Sequence, residues 1–169
     1  MVRKQRPSTE AEAAALASGI RLRIIRLTSF EAMTNQELAQ RLGRDPATTL
    51  HHVRRLVDTG FLVPLPPRRG TRGAKEIPYR STGLSWHLSN HSAAAAAAVG
   101  EAMLEAFLAE LAEAEPAEVD ASRLVLQLAP AEVTEFTRRI TELLDEFQSR
   151  PPDPAAARTA VYLSIYPSR

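Results

Sequence analysis

Residues 34–62, TNQELAQRLGRDPATTLHHVRRLVDTGFL, constrain the fold more tightly than any other part of the chain. Helix start and stop signals follow one another there at short range. Thr34 and Glu37 have the spacing of a capping box, in which each side chain bonds the other residue's backbone N–H. Leu38, Ala39 and Leu42 supply one apolar face, and Gly43 ends the helix by accepting a left-handed conformation. Asp45 caps a second helix and Pro46 takes its first position, where a missing N–H costs nothing. This helix is expected over 46–59, with Thr49, Val53, Leu56 and Val57 inward and Gly60 as its stop. Two short helices joined by a tight glycine turn are a helix-turn-helix arrangement.

The flanks extend that reading. Thr9 and Glu12 form another capping-box pair, and Leu16, Ile20, Ile24 and Leu27 recur at helical intervals. Ser18-Gly19 is expected to divide this region into two helices. After Gly60, Phe61–Leu65 and Ile77–Ser81 read as strands around a Gly- and Arg-rich loop. Pro64 and Pro78 suit a two-stranded ribbon with free edges better than a central strand. A helix-turn-helix followed directly by a hairpin with a basic tip is a winged helix.

Charge is distributed unevenly. The net charge of the 169 residues is only +1, yet residues 1–83 hold 15 Lys/Arg against 7 Asp/Glu, and residues 84–169 hold 6 against 13. A basic half predicts contact with a polyanion, and two oppositely charged faces that attract each other are the competing explanation. The chain has no cysteine, so neither disulfides nor thiolate metal ligands are available. The first residues have basic groups but no apolar stretch behind them, and no run approaches the roughly 20 apolar residues of a membrane span. These features lead us to expect a cytoplasmic protein.

The second half reads differently. Ala93–Ala98 favours helix, and Met103, Leu104, Phe107, Leu108 and Leu111 continue it as an amphipathic helix with glutamates outside. Pro116 is expected to end it. Leu124, Leu126 and Leu128 alternate, as do Val161, Leu163 and Ile165. Between them Pro130 opens a helix striped by Val133, Phe136, Ile140, Leu143 and Phe147. The overall expectation is α+β, mainly α: a winged helix-turn-helix domain over 1–85, then a dimerisation helix and a strand–helix–strand unit over 86–169. A parallel pairing of the two strands is the default for such a unit.

From residue 34 to residue 62 the sequence resembles the ArsR-like winged-helix regulators of bacteria, and SGIRLRIIRLT resembles that family's first core helix. His52-Val53, Leu56 and Gly60-Phe61-Leu62 match the typical end of its recognition helix. The resemblance covers about residues 15–85 and implies a homodimeric regulator of transcription on a palindromic operator. The metal-sensing members' cysteine pair is absent, the corresponding stretch being Asn35-Gln36-Glu37-Leu38-Ala39. No metal or other cofactor is therefore expected.

A recognition helix enters the major groove with its N-terminal turns. The candidate DNA-binding residues on it are Thr48, Thr49, His51, Arg54 and Arg55, of which Thr49 also has a core-facing position. Thr48 and His51 can reach base edges, Arg55 can pair with guanine, and Arg54 suits a phosphate better. A wing over 66–76 adds Arg68, Arg69, Arg72 and Lys75 for the backbone or the minor groove. Double-stranded DNA and a second copy of the chain are the expected partners. The aromatic residues of the second half leave room for a small-molecule effector, although core and interface packing explains them better. The rival to a DNA-binding regulator is a winged-helix protein-interaction module without DNA binding. His87 and His91 lack further metal ligands beside them, and Glu142, Asp145 and Glu146 read as a solvated helix face, so no enzyme activity is expected.

Overall fold

A computed structural model of the chain describes residues 5–70 and 73–168. It divides into two compact units after Glu113, each built around its own helices. The N-terminal unit thus runs well past the boundary at 85 expected from sequence.

Within it, β1 (Arg6–Pro7) leads into α1 (Glu10–Leu16) and α2 (Gly19–Leu27). The Thr9/Glu12 capping box forms as expected, and Arg6 makes a bidentate pair with the Glu12 carboxylate at 2.8 and 2.5 Å. That pairing, with the Thr9 hydrogen bonds, outweighs burial and holds Glu12 down at a pKa of about 2. Ser18-Gly19 separates α1 from α2. Across the break Arg21 donates to the carbonyls of Ala15 (2.5 Å) and Ala14 (2.8 Å), two of the orphan acceptors at the end of α1.

β2 (Met33–Thr34), α3 (Asn35–Arg41) and α4 (Pro46–Asp58) follow. Both α3 and α4 close with the same pattern of bonds. Gly43 N–H donates to Gln40 and Arg44 N–H to Ala39; Gly60 N–H donates to Val57 and Phe61 N–H to Leu56. Each glycine has positive φ, 60° and 77° respectively, the left-handed geometry of a Schellman stop. The second stop turns Phe61 into the core beside Leu56, where both are fully buried with Ile24, Leu38 and Val53.

The wing consists of β3 (Leu62–Pro64), β4 (Arg68–Arg69), β5 (Lys75–Glu76) and β6 (Pro78–Ser81). β3 pairs antiparallel with β6, and β4 with β5 nearer the tip. The expected free-edged ribbon needs correction. β2 pairs with the other edge of β6, in register Met33↔Tyr79 and Thr34↔Pro78, so the sheet has three strands in the order β2-β6-β3. Pro78 is tolerated because it is the first residue of β6, and its carbonyl still accepts from Leu65 N–H at 2.8 Å. β7 (Leu88–Ser89) then pairs in parallel with β1, joining the start of the unit to the end of the wing.

α5 (Ala93–Leu111) packs on α1 and α2 through Val99, Ala102 and Ala106. Glutamates on α5 and just beyond its end reach α2 and α3 as well. Glu105 accepts from Gly19 N–H at 3.2 Å, Glu110 pairs with Arg26, and Glu113 pairs with Arg23 and lies 3.6 Å from Arg41. A β-carbon at Gly19 would stand 2.7 Å from the Glu105 carboxyl, so glycine is what admits this cap.

The second unit contains a short 3₁₀ turn at Pro116–Glu118 and α6 (Pro130–Gln148). Pro130 opens α6 as expected, with Ala129 N–H donating to Glu132 at 2.8 Å. The strands expected over 123–128 and 159–166 are not formed: both segments lie outside helix and strand.

Leu56→Ala removes the fully buried side chain beside the α4 stop. It is expected to lower unfolding free energy by about 3 kcal/mol, read from denaturant unfolding monitored by circular dichroism.

Candidate nucleic-acid interface

The positions on α4 sort by the helical period. Val53 and Leu56 are fully buried and carry the helix onto the core, leaving Ala47, Thr48, His51, Arg54 and Arg55 at its open side. Asp45 fixes the helix start by accepting from Ala47 N–H (2.8 Å) and Thr48 N–H (3.1 Å). Asn35 Nδ2 donates to the Pro46 carbonyl at 2.9 Å, tying the first turns of α3 and α4 together. With 13 residues, α4 is about 20 Å long and of a diameter that a major groove about 12 Å wide admits.

Thr49 must be removed from the candidate set. It is 1% exposed, and its hydroxyl is spent on the Asp45 carbonyl at 2.9 Å, so it can reach neither base nor phosphate. The wing residues also differ among themselves. Arg68 is half exposed but pairs with Glu37 of α3 and lies 4.0 Å from Glu76, so its charge is already engaged. Arg69 and Lys75 are exposed, with no ion pair to an acidic side chain among the described residues, and face each other in the β4–β5 register. Arg72 lies outside the described residues.

Two further exposed cations lie outside the candidate set read from sequence. Arg44 is exposed in the turn immediately before α4, and Arg80 is exposed on β6. Arg44 had a sequence signal, a basic residue between the Gly43 stop and the Asp45 cap. Arg80 had only its place on the outward face of a strand.

His52 is half-buried on the flank of α4, and its Nδ1 is buried without a hydrogen-bond partner among the described residues. Its ring meets that of His51 edge-on, with centroids 5.9 Å apart. Burial, then the charges of Arg21, His51 and Arg44, push its pKa below the usual 6.5. Arg21 is likewise depressed, by burial and then by Arg55. Positive charge is therefore crowded here, and an additional proton is resisted. Because the folded form holds the His52 proton less tightly than the unfolded chain, its contribution to stability is complete above pH 6.5. That contribution is lost as pH falls from there through the depressed value. Thermal melts between pH 7.5 and 5 are expected to show this loss in the wild type and a flatter profile in His52→Gln.

Residues 16–64, from the end of α1 to β3, match the family model described as a helix-turn-helix domain. No characterised protein sequence matches the chain significantly. Among solved structures, a double mutant of ZitR from Lactococcus lactis in apo form is 16% identical, with 80% of this chain and 86% of that one covered at a TM-score of 0.35. RV1404 from Mycobacterium tuberculosis is 20% identical, with 79% and 83% covered at a TM-score of 0.34. Neither likeness adds to what the geometry itself shows. Matched over α2, α3 and α4 and followed directly by the β3–β6 sheet, the chain carries a helix-turn-helix domain of winged architecture.

Proposed function

We propose that this protein is a sequence-specific regulator of transcription that binds palindromic DNA as a homodimer, with α4 in the major groove. One observation carries the reading: α4 is anchored by Val53 and Leu56 while Thr48, His51, Arg54 and Arg55 stand on its open face. A helix held this rigidly presents base-reading groups without further ordering cost. Thr48 and His51, nearest the capped end, would contact base edges; Arg55 would pair with guanine, and Arg54 and Arg44 would hold phosphates. Arg69 and Lys75 would bring the wing onto the backbone. An interaction module without DNA binding does not account for an open helix face that combines these groups with a basic turn and a basic wing tip.

Dimerisation fits α5. Opposite its buried Val99, Ala102 and Ala106, it leaves Met103, Leu104, Leu108 and Leu111 at 37–54% exposure, an apolar face that a second copy would cover. Among the described residues no helix is long and apolar enough to cross a membrane.

If two protomers together neutralise about 8 phosphates, log affinity should fall against log salt with a slope of about −7. Fluorescence anisotropy on a duplex selected from random sequence measures it. Arg69→Ala with Lys75→Ala is expected to flatten the slope by about 0.9 for each phosphate no longer neutralised. Arg68→Ala should change it less, because Glu37 already holds that side chain. An unchanged slope in the double variant would remove the wing from the interface. Thr48→Ala and His51→Ala should each cost about 1–3 kcal/mol on the selected site and little on unrelated DNA. Equal losses on both duplexes would defeat base reading by these residues.

A further inference from the structure

The two carboxylate oxygens of Glu37 serve different purposes. Oε2 accepts from Thr34 N–H at 2.7 Å, and Glu37 N–H donates to Thr34 Oγ1 at 3.2 Å, which closes the capping box of α3. Oε1 pairs with the guanidinium of Arg68, 31 positions away on β4 of the wing. Thr34 is itself held at the edge of β6, opposite Pro78, so the carboxylate reaches Arg68 from a fixed base. A capping box closes with glutamate or glutamine alike, which leaves the negative charge available for a second use. Burial would raise the pKa of Glu37, but the Thr34 bonds and Arg68 outweigh it and keep the group below its ordinary value. The carboxylate that faces the wing is therefore charged at neutral pH.

A second carboxylate stands on the wing's own side. Glu76, opposite Arg68 in the β4–β5 register, brings Oε2 to 4.0 Å from Arg68 Nε. Its carboxyl takes the space that a side chain at Gly70 would need. Arg69 and Lys75, the next pair in the register, have no acidic side chain in ion-pair range among the described residues. The wing's cations are thus unequal. We propose that Glu37 is a positioning residue for the DNA interface: it occupies Arg68 as a phosphate would and withholds that charge from the duplex. The inference rests on the DNA-binding reading. An arginine fork meets carboxylate and phosphate with the same geometry, so one acceptor excludes the other from the same N–H groups. With 47% and 43% of the two side chains exposed, the pair is weak, and it lowers affinity without abolishing it.

Glu37→Gln keeps the capping box and removes the charge. By fluorescence anisotropy on the selected duplex, this variant should bind several-fold tighter than wild type. Its salt slope should steepen by about 0.9 for each arginine released, about 1.8 for two protomers. Glu37 also repels DNA by its own charge, and the Arg68→Ala background separates the two effects. E37Q/R68A should match R68A in affinity and slope. A gain of equal size with and without Arg68 overturns the proposal. So does an E37Q protein of unaltered thermal melt that binds no more tightly than wild type. Hydrogen exchange supplies an arm without DNA. Gly70, whose N–H donates to the Ala74 carbonyl at 2.8 Å, should exchange faster in both E37Q and R68A than in wild type. Exchange unchanged in both variants overturns the link between α3 and the wing. Failure of the DNA-binding reading looks different: the wild type itself then binds no duplex, and the proposal falls with it.

Discussion

Leu56 and Phe61, brought side by side by a left-handed glycine, are the contact on which the N-terminal unit depends. Leu56 places α4 against α2 and α3 through Ile24, Leu38 and Val53, all fully buried. Phe61 is the first residue beyond the stop, so the packing that seats the helix also fixes the direction in which β3 leaves it. Helix and wing are thereby placed by one cluster of side chains. At such packing densities a change of volume is transmitted rather than absorbed, and the open face of α4 inherits its orientation from the buried one.

The uneven charge along the chain has two causes, which the structure separates. Arg26 meets Glu110 of α5, and Arg23 and Arg41 meet Glu113 just beyond its end, so part of the basic excess holds the unit together. Arg44, Arg54, Arg55, Arg69, Lys75 and Arg80 have no acidic side chain in ion-pair range among the described residues, and lie on or near α4 and the wing. Polyanion binding and attraction between opposite faces, rival explanations of the same composition, therefore both apply, each to its own set of arginines. Arg68 stands between the sets, near the wing tip but committed to Glu37.

Much of this was legible because it is local. The capping boxes at Thr9 and Thr34, the Asp45 cap with Pro46, and the stops at Gly43 and Gly60 each act within five residues, and each forms as its spacing implies. The exposed set on α4 followed from the helical period, with Thr49 the exception. A hydroxyl residue there serves the helix's own backbone, which no list of DNA-contacting residue types can distinguish. β2 was missed because two residues cannot show alternation, and Thr34 already had a visible role as a cap. The berth of α5 on α1 and α2 was equally hidden, since pairing between Glu113 and Arg23 spans 90 positions. Alternation at 123–128 and 159–166 misled, because a period of two marks a strand only where a neighbouring strand pairs with it, and both segments lie outside helix and strand.

The parallel pairing of β1 with β7 has a bearing on how the unit assembles. Arg6 lies opposite Leu88, and Ser8 N–H reaches the Ser89 carbonyl at 2.8 Å, so the ladder closes a ring of some eighty residues around the whole winged domain. Drawing together ends that far apart costs chain entropy before a two-residue ladder returns anything. Such a clasp cannot nucleate folding; it can only fasten once the helices and the sheet have brought its halves within reach.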